Sequence, residues 1–249
     1  MRLTVVGCSG SMPGPNSAAS CYLIEHDGVR IVLDLGPGAA GALLRYATLE
    51  TIDAILLSHL HADHCLDACS VVVWHRYAAR SHGPVALYGP VGTMQRLGAA
   101  YEQPAADLGD VFDFHPMSSI TSTGVEIGGL RISFARMNHP VETYAIRVEA
   151  GTTSLTYSAD TGICPELIRL AKGTDVLLCE AAQPDDEPGY PPDLHLTGGQ
   201  AGAHAAAAGV GRLLLTHIPP WVNADAQLAA ARTAFAAAEL ATAGMTYTL

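Results

Sequence analysis

Four side chains that commonly bind metal ions stand within six residues of this chain, at His59, His61, Asp63 and His64. They follow an apolar run over residues 52–57, which predicts a buried strand. A strand that ends there places His59 and His61 at its carboxyl end, and Asp63 and His64 then begin a helix. Imidazole nitrogens and carboxylate oxygens at this density favour zinc or a similar divalent ion. The alternative is a polar loop that is rich in histidine by chance. Such a loop has no structural need for three His residues and an Asp at this spacing.

The composition predicts a globular chain with room for a substantial core. Of the 249 residues, 49% are hydrophobic and 15% are charged, and no composition break divides the chain, so we expect one α/β domain over residues 1–249. A strand-like run begins at Leu3 without a basic leader, and no stretch reaches the roughly 18 uninterrupted apolar residues of a membrane span. Six scattered cysteines are typical of free thiols in a reducing compartment. We therefore expect a cytoplasmic protein with no membrane partner.

The net charge argues against a long nucleic acid as a partner. The chain has 13 Lys and Arg residues against 24 Asp and Glu residues, for a formal charge of -11. Proteins that bind polyanions generally need basic patches that displace counterions. No run rich in Lys or Arg is present in the sequence. The oligomeric state does not follow from the sequence, and a homodimer remains one candidate.

Strand and helix patterns alternate along the chain. The predicted strands cover residues 2–7, 20–25, 29–35, 52–57, 84–88, 175–179, 212–216 and 245–249, with further strands between 125 and 160. The predicted helices cover residues 39–46, 63–80, 92–101, 165–172, 198–208 and 224–240. An Asp- and Pro-containing segment after residue 101 is predicted to be irregular. Strand-rich stretches mixed with helices favour an α/β sandwich over a sheet built only from βα units.

Further histidine and acidic residues each come directly after, or a few residues past, an apolar, strand-like run. His139 comes after residues 131–135, Asp160 after 154–158, Glu180 after 175–179 and His217 after 212–216. Ligand-binding groups gather at the carboxyl ends of strands in layered α/β folds. We therefore expect these residues to share one site with the histidine cluster.

These motifs resemble those of the metallo-β-lactamase superfamily along the whole chain. The HxHxDH sequence at residues 59–64 matches the second motif of the family, and the other motifs map to Asp34 before Gly36, to His139, to Asp160 and to His217. The resemblance implies an αββα sandwich and two divalent metal ions, with zinc as the first candidate and manganese as the alternative. One ion would be bound by His59, His61, His139 and Asp160, and the other by Asp63, His64, Asp160 and His217.

Two later signals resemble the ribonuclease Z-like branch, whose members cleave phosphodiesters. They are the Glu180-Ala181-Ala182 segment and His195 before Leu196-Thr197. Ala182 stands where that branch has Thr, which leaves the local hydrogen bonding open. Ribonuclease Z also carries a long arm for tRNA between its third and fourth metal motifs. Here only residues 140–159 lie between these motifs, and two predicted strands largely consume them, so the arm is missing.

The resemblance implies catalytic roles for Asp63, His195 and Glu180. We expect His195 to protonate the leaving group, because an alkoxide is a poor leaving group, while Glu180 holds the imidazole in its protonated form. Two structural roles for His195 stay open at this point. It could cap the helix that begins near Thr197, or it could brace a metal ligand.

Several segments are most similar to actinobacterial members of this branch, which include atypical mycobacterial cyclic-AMP phosphodiesterases. The segments are Gly7–Ser11, Ser58–Asp67, Asp160–Cys164, Pro192–Leu196 and Leu215–Trp221. The resemblance implies that a metal-bridging hydroxide hydrolyses a small anionic phosphodiester. The first candidate substrate is 3′,5′-cyclic AMP, with the nucleoside monophosphate as product.

Other functions stay open from the sequence. The fold also supports hydrolases of thioesters, lactones and sulfate esters, and a ribonuclease Z-like nuclease without the tRNA arm is a further alternative. A metal- or RNA-binding module without catalytic activity would be expected to lack at least one ligand. None of the seven ligands that the resemblance implies is missing from the sequence.

Overall fold

The computed structural model describes residues 1–78, 83–184, 191 and 193–249. Its strands, in chain order, are β1 (Arg2–Ser9), β2 (Ala18–Ala19), β3 (Cys21–His26), β4 (Val29–Leu33), β5 (Ala54–Leu56), β6 (Val85–Gly89), β7 (Phe112–Pro116), β8 (Val125–Ile127), β9 (Leu130–Arg136), β10 (Tyr144–Ala150), β11 (Thr153–Tyr157), β12 (Val176–Glu180), β13 (Arg212–Thr216), β14 (Ala238–Leu240) and β15 (Thr246–Thr248). Its helices are α1 (Ala39–Leu43), α2 (Ala62–Cys65), α3 (Ala68–Tyr77), α4 (Thr93–Ala100), α5 (Pro165–Leu170), α6 (Gly198–Ala208) and α7 (Ala224–Ala234). Single 3-10 turns lie at Leu49–Thr51, Ala105–Leu108 and Met117–Ser119.

The strands form two mixed sheets. The first sheet has the order β15-β1-β3-β4-β5-β6-β7, with β2 paired to β1, and the second has the order β14-β13-β12-β11-β10-β9-β8. Strands β4 to β7 pair in parallel, and so do strands β11 to β14. Parallel strands bring their carboxyl ends to the same edge of a sheet. Each sheet therefore offers one edge at which side chains from several strands can meet.

Alternation of apolar side chains along the strands creates a core on both faces of each sheet. The core between the sheets contains, among others, Leu3, Ile24 and Leu56 from the first sheet and Ile132, Ile146 and Leu178 from the second. On the outer face of the first sheet, Leu23 and Val32 belong to a cluster with Leu43, Val72 and Leu97 from the helices. On the outer face of the second sheet, Leu177 and Leu213 belong to a cluster with Ala201, Ala205 and Ala231. The predicted αββα sandwich is thereby confirmed.

The helix predicted over residues 63–80 is two helices, α2 and α3. The break falls at Asp67, whose backbone N–H donates to the carbonyl oxygen of Leu35 and whose carboxylate accepts from the N–H of Ala40. The Asp67 N–H thus bonds to Leu35 rather than to a carbonyl of its own helix, and the two contacts hold this break against the turn after β4 and against α1. Arg80, the end of the predicted helix, lies outside the described residues.

Two short edge strands differ from the sequence prediction. Residues Phe112–Pro116, predicted to be irregular, form β7 beside β6, and the helix predicted over 224–240 ends at Ala234. Phe235 then adopts an extended conformation, and Ala238–Leu240 pairs with β13 as β14. The Ala-rich sequence favours a helix locally, so pairing at the sheet edge outweighs the intrinsic propensity. Within the described part of the chain, no helix is long and apolar enough to cross a membrane.

Gly36 provides a test of how α2 is seated. A Cβ atom at this position would overlap the carbonyl oxygen of Asp63, so Gly36→Ala must displace either the turn after β4 or the helix that carries Asp63 and His64. We expect a loss of about 1–3 kcal/mol in the free energy of unfolding and weaker zinc binding. Gly41 of α1 is exposed and has open space around it, so Gly41→Ala should be neutral or stabilise by up to about 1 kcal/mol. Equal behaviour of the two variants in denaturant unfolding would contradict this packing argument.

Candidate metal centre

The seven predicted ligands converge where the carboxyl ends of strands from both sheets meet. His59 and His61 lie in the turn after β5, and Asp63 and His64 lie in α2. The other three come from the second sheet: His139 lies between β9 and β10, Asp160 follows β11 and His217 follows β13. The ligand atoms fall into overlapping groups whose members lie within 4.8 Å of one another. The structure thus brings together every residue that the sequence assigned to the metal ions.

The first group contains three histidines and Asp160. His61 Nδ1 lies 3.0 Å from His59 Nε2 and 3.3 Å from His139 Nε2. Asp160 Oδ2 lies 3.5 Å from His59 Nε2. His59 is fully buried, while His61 is partly exposed. Three imidazoles and one carboxylate oxygen at these separations suit a single divalent ion.

The second group contains Asp63, His64 and His217. His217 Nε2 lies 3.0 Å from Asp63 Oδ2 and 3.1 Å from His64 Nε2. Asp160 reaches this group as well, because its Oδ1 atom lies 3.3 Å from His64 Nε2. The two oxygens of Asp160 therefore face different groups. This is the arrangement in which one carboxylate can contact two ions.

The buried polar atoms of the centre fit a divalent metal ion. Among the described residues, Asp160 Oδ1 and His217 Nδ1 are buried without a hydrogen-bond partner, which is costly unless another ligand satisfies them. His139 donates its Nδ1–H to the carbonyl oxygen of Leu194, and His64 donates its Nδ1–H to Asp34. In the neutral rings the Nε2 atoms of both histidines then carry lone pairs that point into the centre.

Burial and charge prepare most of these groups to bind a cation. Burial lowers the pKa of His59 well below its usual value and that of His139 to about 4, so both imidazoles are neutral at pH 7. Burial opposes ionisation of Asp160, but His217, His64 and His59 together hold its pKa well below the usual range. His64 differs: burial lowers its pKa, yet the Asp160 and Asp34 carboxylates raise it well above the usual value. A metal ion at His64 must therefore displace a proton.

The Asp34 carboxylate holds residues next to the metal centre in place through hydrogen bonds. Asp34 follows β4, is fully buried, and its Oδ1 atom accepts from the backbone N–H of Ser58 at 2.6 Å. Its Oδ2 atom accepts from the Ser58 hydroxyl at 2.8 Å, from His64 Nδ1 at 2.8 Å and from the Tyr157 hydroxyl at 2.7 Å. Burial raises the pKa of Tyr157 well above its usual value, so this hydroxyl stays a donor. The sequence motif identified Asp34 but gave no signal for Ser58 or Tyr157, which look like ordinary residues at strand ends.

Several residues at the centre adopt a left-handed backbone that non-glycine residues seldom use. The φ angles are +58° at Asp34, +54° at Ala159 and +54° at His217, each within two residues of the end of a strand. Such conformations cost about 1–3 kcal/mol each and tend to occur at functional sites. Here they turn the chain sharply, so that Asp34, Asp160 and His217 point back over the ends of their strands.

His195 and Glu180 form a pair beside the metal ligands. His195 Nδ1 lies 2.9 Å from Glu180 Oε1 and 4.0 Å from Asp160 Oδ2. Burial lowers the pKa of His195, but the charge and the hydrogen bond of Glu180 raise it to about 9. Ligand atoms of His195, Asp160 and His217 also lie within 4.8 Å of one another. His195 can therefore act as a proton donor or contact a metal ion, and its bond to Glu180 favours the first role.

Glu180 is the last residue of β12 and is fully buried. Its carboxylate accepts from the backbone N–H of Thr161 at 2.7 Å and from that of Ala182 at 3.1 Å, in addition to His195. The side chain of residue 182 is therefore not needed for the contact that the sequence left open. The helix cap considered for His195 is provided by Thr197, which forms a capping box with Gln200. Pro192, in the segment before His195, lies outside the described residues.

Comparison with known proteins agrees with this architecture. Residues 29–218 match the family described as the beta-lactamase superfamily domain. The chain is 46% identical over 241 residues to the uncharacterized protein Rv1339 of Mycobacterium tuberculosis, covering 94% of this chain and 87% of that protein. It is 30% identical over 244 residues to the probable metallo-hydrolase YhfI of Bacillus subtilis, covering 94% of each. It is 29% identical over 249 residues to ribonuclease Z of Mycobacterium marinum, covering 90% of this chain and 88% of that protein.

The solved structures support the same fold. The crystal structure of YhfI, described as a metallo-beta-lactamase fold protein, aligns with this chain at a TM-score of 0.86 and 27% identity, covering 99% of this chain and 98% of the other. Human tRNase Z, short form, aligns at a TM-score of 0.78 and 19% identity, covering 100% and 99% of the two chains. At that identity the second likeness concerns the fold alone.

Asp34 is not a predicted metal ligand, but its hydrogen bond to His64 predicts that it affects the metal affinity of the centre. Asp34→Asn would place an NH₂ group or a weaker acceptor opposite the Ser58, His64 and Tyr157 donors. We expect zinc affinity to fall about 10- to 100-fold, because His64 loses its carboxylate partner. Tyr157→Phe is the matched control: it removes one donor and leaves His64 paired, so it should cost about 1–2 kcal/mol of stability with little change in zinc affinity. Wild-type affinity of Asp34→Asn in a zinc titration would show that the anchor is dispensable.

Proposed function

This chain belongs to the metallo-β-lactamase superfamily and is a metal-dependent hydrolase, and we propose that its substrate is a small cyclic phosphodiester. The first candidate is 3′,5′-cyclic AMP, which would be hydrolysed to the nucleoside monophosphate. The observation that carries the proposal is the His195–Glu180 pair, 2.9 Å apart beside the Asp160 carboxylate. A proton donor at this position suits a reaction that expels an alkoxide.

We propose that the centre holds two divalent ions, with zinc as the first candidate and manganese as the alternative. When bound, the ions would supply a water-derived nucleophile at neutral pH and neutralise charge on the phosphoryl oxygens. If the imidazoles are neutral, the carboxylates of Asp63 and Asp160 would offset half of the charge of two dications. The centre would then keep a net charge of about +2. This local positive charge would attract a phosphodiester even though the chain carries a formal charge of -11.

The protein groups would divide the proton transfers between two sides of the centre. The Asp63 carboxylate lies beside His64 and His217 at the edge of the centre, where it would accept a hydrogen bond from the attacking water. His195 would donate a proton to the departing oxygen. Among the described residues, its Nε2 atom has no hydrogen-bond partner, while Nδ1 is held by Glu180. Glu180 thereby fixes both the orientation of the ring and its protonated form.

The segment between His139 and Asp160 supports a small substrate. Strands β10 and β11 pair through Tyr157 opposite Ile146 and close in a tight turn at Gly151. Residues 140–159 are all described, and the hairpin leaves no protruding arm of the kind that holds tRNA. The relative named ribonuclease Z keeps an RNA nuclease without the arm as an alternative. Thioester, lactone and sulfate ester hydrolysis are further alternatives that the metal ligands alone do not distinguish.

A substrate screen tests the proposed reaction. Purified protein with added zinc or manganese should convert 3′,5′-cyclic AMP to AMP, and it should not trim the 3′ end of pre-tRNA. The same screen should include 2′,3′-cyclic nucleotides and thioesters, with product identified by chromatography. Efficient pre-tRNA trimming, or thioesterase activity far above any phosphodiesterase activity, would contradict the proposal.

A His195→Ala variant tests the general-acid role. We expect its rate on the cyclic nucleotide to fall by about 10²–10⁴ because the alkoxide must then leave without a proton. Bis(p-nitrophenyl) phosphate should be much less affected, since its leaving group is stable as an anion. Metal content, measured on the same preparation, should match that of the wild type.

The control for this variant is the comparison of the two substrates within one protein sample. Equal losses on both substrates would assign His195 a structural role. Loss of bound metal would instead place His195 among the metal ligands, as its distance to Asp160 and His217 allows.

A further inference from the structure

Gln227 lies on α7, outside every residue assigned above, yet its side chain reaches the loop that carries His195. The residue is 2% exposed. Its Nε2 donates to the carbonyl oxygen of Gln183 at 2.8 Å, and its Oε1 accepts from the backbone N–H of Gly198. A buried amide that satisfies two backbone groups at once is costly to replace, because both partners would then be left unpaired.

The two partners of Gln227 stand on either side of His195 in the chain. Gln183 follows β12 by three residues, and its own N–H donates to the carbonyl oxygen of Leu196 at 3.1 Å. Gly198 begins α6 directly after the capping residue Thr197. Gln227 therefore joins the strand side and the helix side of the segment from which His195 projects. Its amide fixes the distance between Gln183, three residues after Glu180, and Gly198, three residues after His195.

Close packing of α6 on α7 holds Gln227 in place. A Cβ atom on Gly198 would overlap the backbone oxygen of Gln227, and a Cβ atom on Gly202 would overlap that of Ala231. The two glycines thus allow the helices to approach closely beside Gln227 and, one turn further on, beside Ala231. Because the interface between α6 and α7 is tightly packed, a shift of the Gln227 amide would displace the first turn of α6. Through Gln183 it would also displace Leu196.

We propose that Gln227 is a positioning residue for His195, acting through Gln183 and Gly198. This inference rests on the general-acid role of His195 in the proposed function. His195 must hold its ring against Glu180 while it faces the leaving group, and a displacement of about 1 Å in such a group can cost roughly 100-fold in rate. In the described structure the side-chain hydrogen bonds of Gln227 go to Gly198 and Gln183 and not to a predicted metal ligand, so its loss should affect proton donation without emptying the metal centre.

The first test is spectroscopic and does not depend on the substrate. The Nδ1–H of His195, bonded to a carboxylate, should give a downfield proton resonance that is absent from His195→Ala. Gln227→Met keeps the side-chain length but removes both hydrogen bonds, and we expect this resonance to be lost or broadened. Asn223→Ala is the matched control, because it removes the cap of the same helix and should leave the resonance unchanged. An unchanged resonance in Gln227→Met would overturn the proposal.

The second test is kinetic. Gln227→Met should lose about 10- to 100-fold more activity on 3′,5′-cyclic AMP than on bis(p-nitrophenyl) phosphate, with wild-type metal content. Asn223→Ala should lose equally little on both. If Gln227→Met does not fold, Gln227→Glu keeps the acceptor for Gly198 and should give a smaller loss in the same direction. Equal losses on both substrates by the folded variant would show that Gln227 only stabilises the fold.

The two tests separate this inference from the proposed function. If the wild type does not hydrolyse cyclic AMP, the proposed function fails, and the resonance of His195 alone decides the role of Gln227. If His195→Ala discriminates between the two substrates while Gln227→Met does not, the proposed function stands and the inference on Gln227 is wrong.

Discussion

The buried carboxylate of Asp34 is the interaction on which the centre depends. It receives hydrogen bonds from Ser58 and His64 of the first half of the chain and from Tyr157 of the second sheet. A charge without access to water is tolerated only when its lone pairs are filled in this way. Because the donors come from both sheets, the packing of the sandwich and the orientation of His64 are fixed by the same group. Folding and metal binding are therefore coupled.

The centre is composite in the same sense. The first sheet brings His59, His61, Asp63 and His64, and the second brings His139, Asp160 and His217. Neither sheet alone holds a full ligand set, so the site exists only once the faces between the sheets are packed. Asp160 links the two groups of predicted ligands, since its two oxygens face different histidines. The pair of His195 and Glu180 adds a proton donor within 4.0 Å of that carboxylate.

The sequence indicates which residues meet at the centre, because His59, His139, Asp160 and His217 follow apolar, strand-like runs and local patterns report strand ends. That these residues bind metal ions is what the family resemblance implies, and it stays a prediction. The alternation of strands and helices predicts an α/β sandwich, and the family resemblance specifies its αββα layers. The sequence does not predict contacts that depend on how the layers pack, such as Tyr157 on Asp34 or Gln227 beside the His195 loop. The sequence does not predict the edge strands β7 and β14 for a related reason. Asp113 and the Ala-rich run before Ala238 have weak strand signals, and pairing with β6 and β13 decides the conformation of these segments.

We propose that the centre holds two divalent ions and that Asp160 would contact both, and metal stoichiometry tests this proposal most directly. Protein purified without chelator and dialysed against zinc should bind two ions per chain, with two anomalous scattering peaks flanking Asp160 in crystals. Asp160→Ala should weaken both sites together, because the two oxygens of this residue face different groups of predicted ligands. A stoichiometry that stays at one ion with excess zinc or manganese, or an Asp160→Ala variant that still binds one ion with wild-type affinity, would contradict the account.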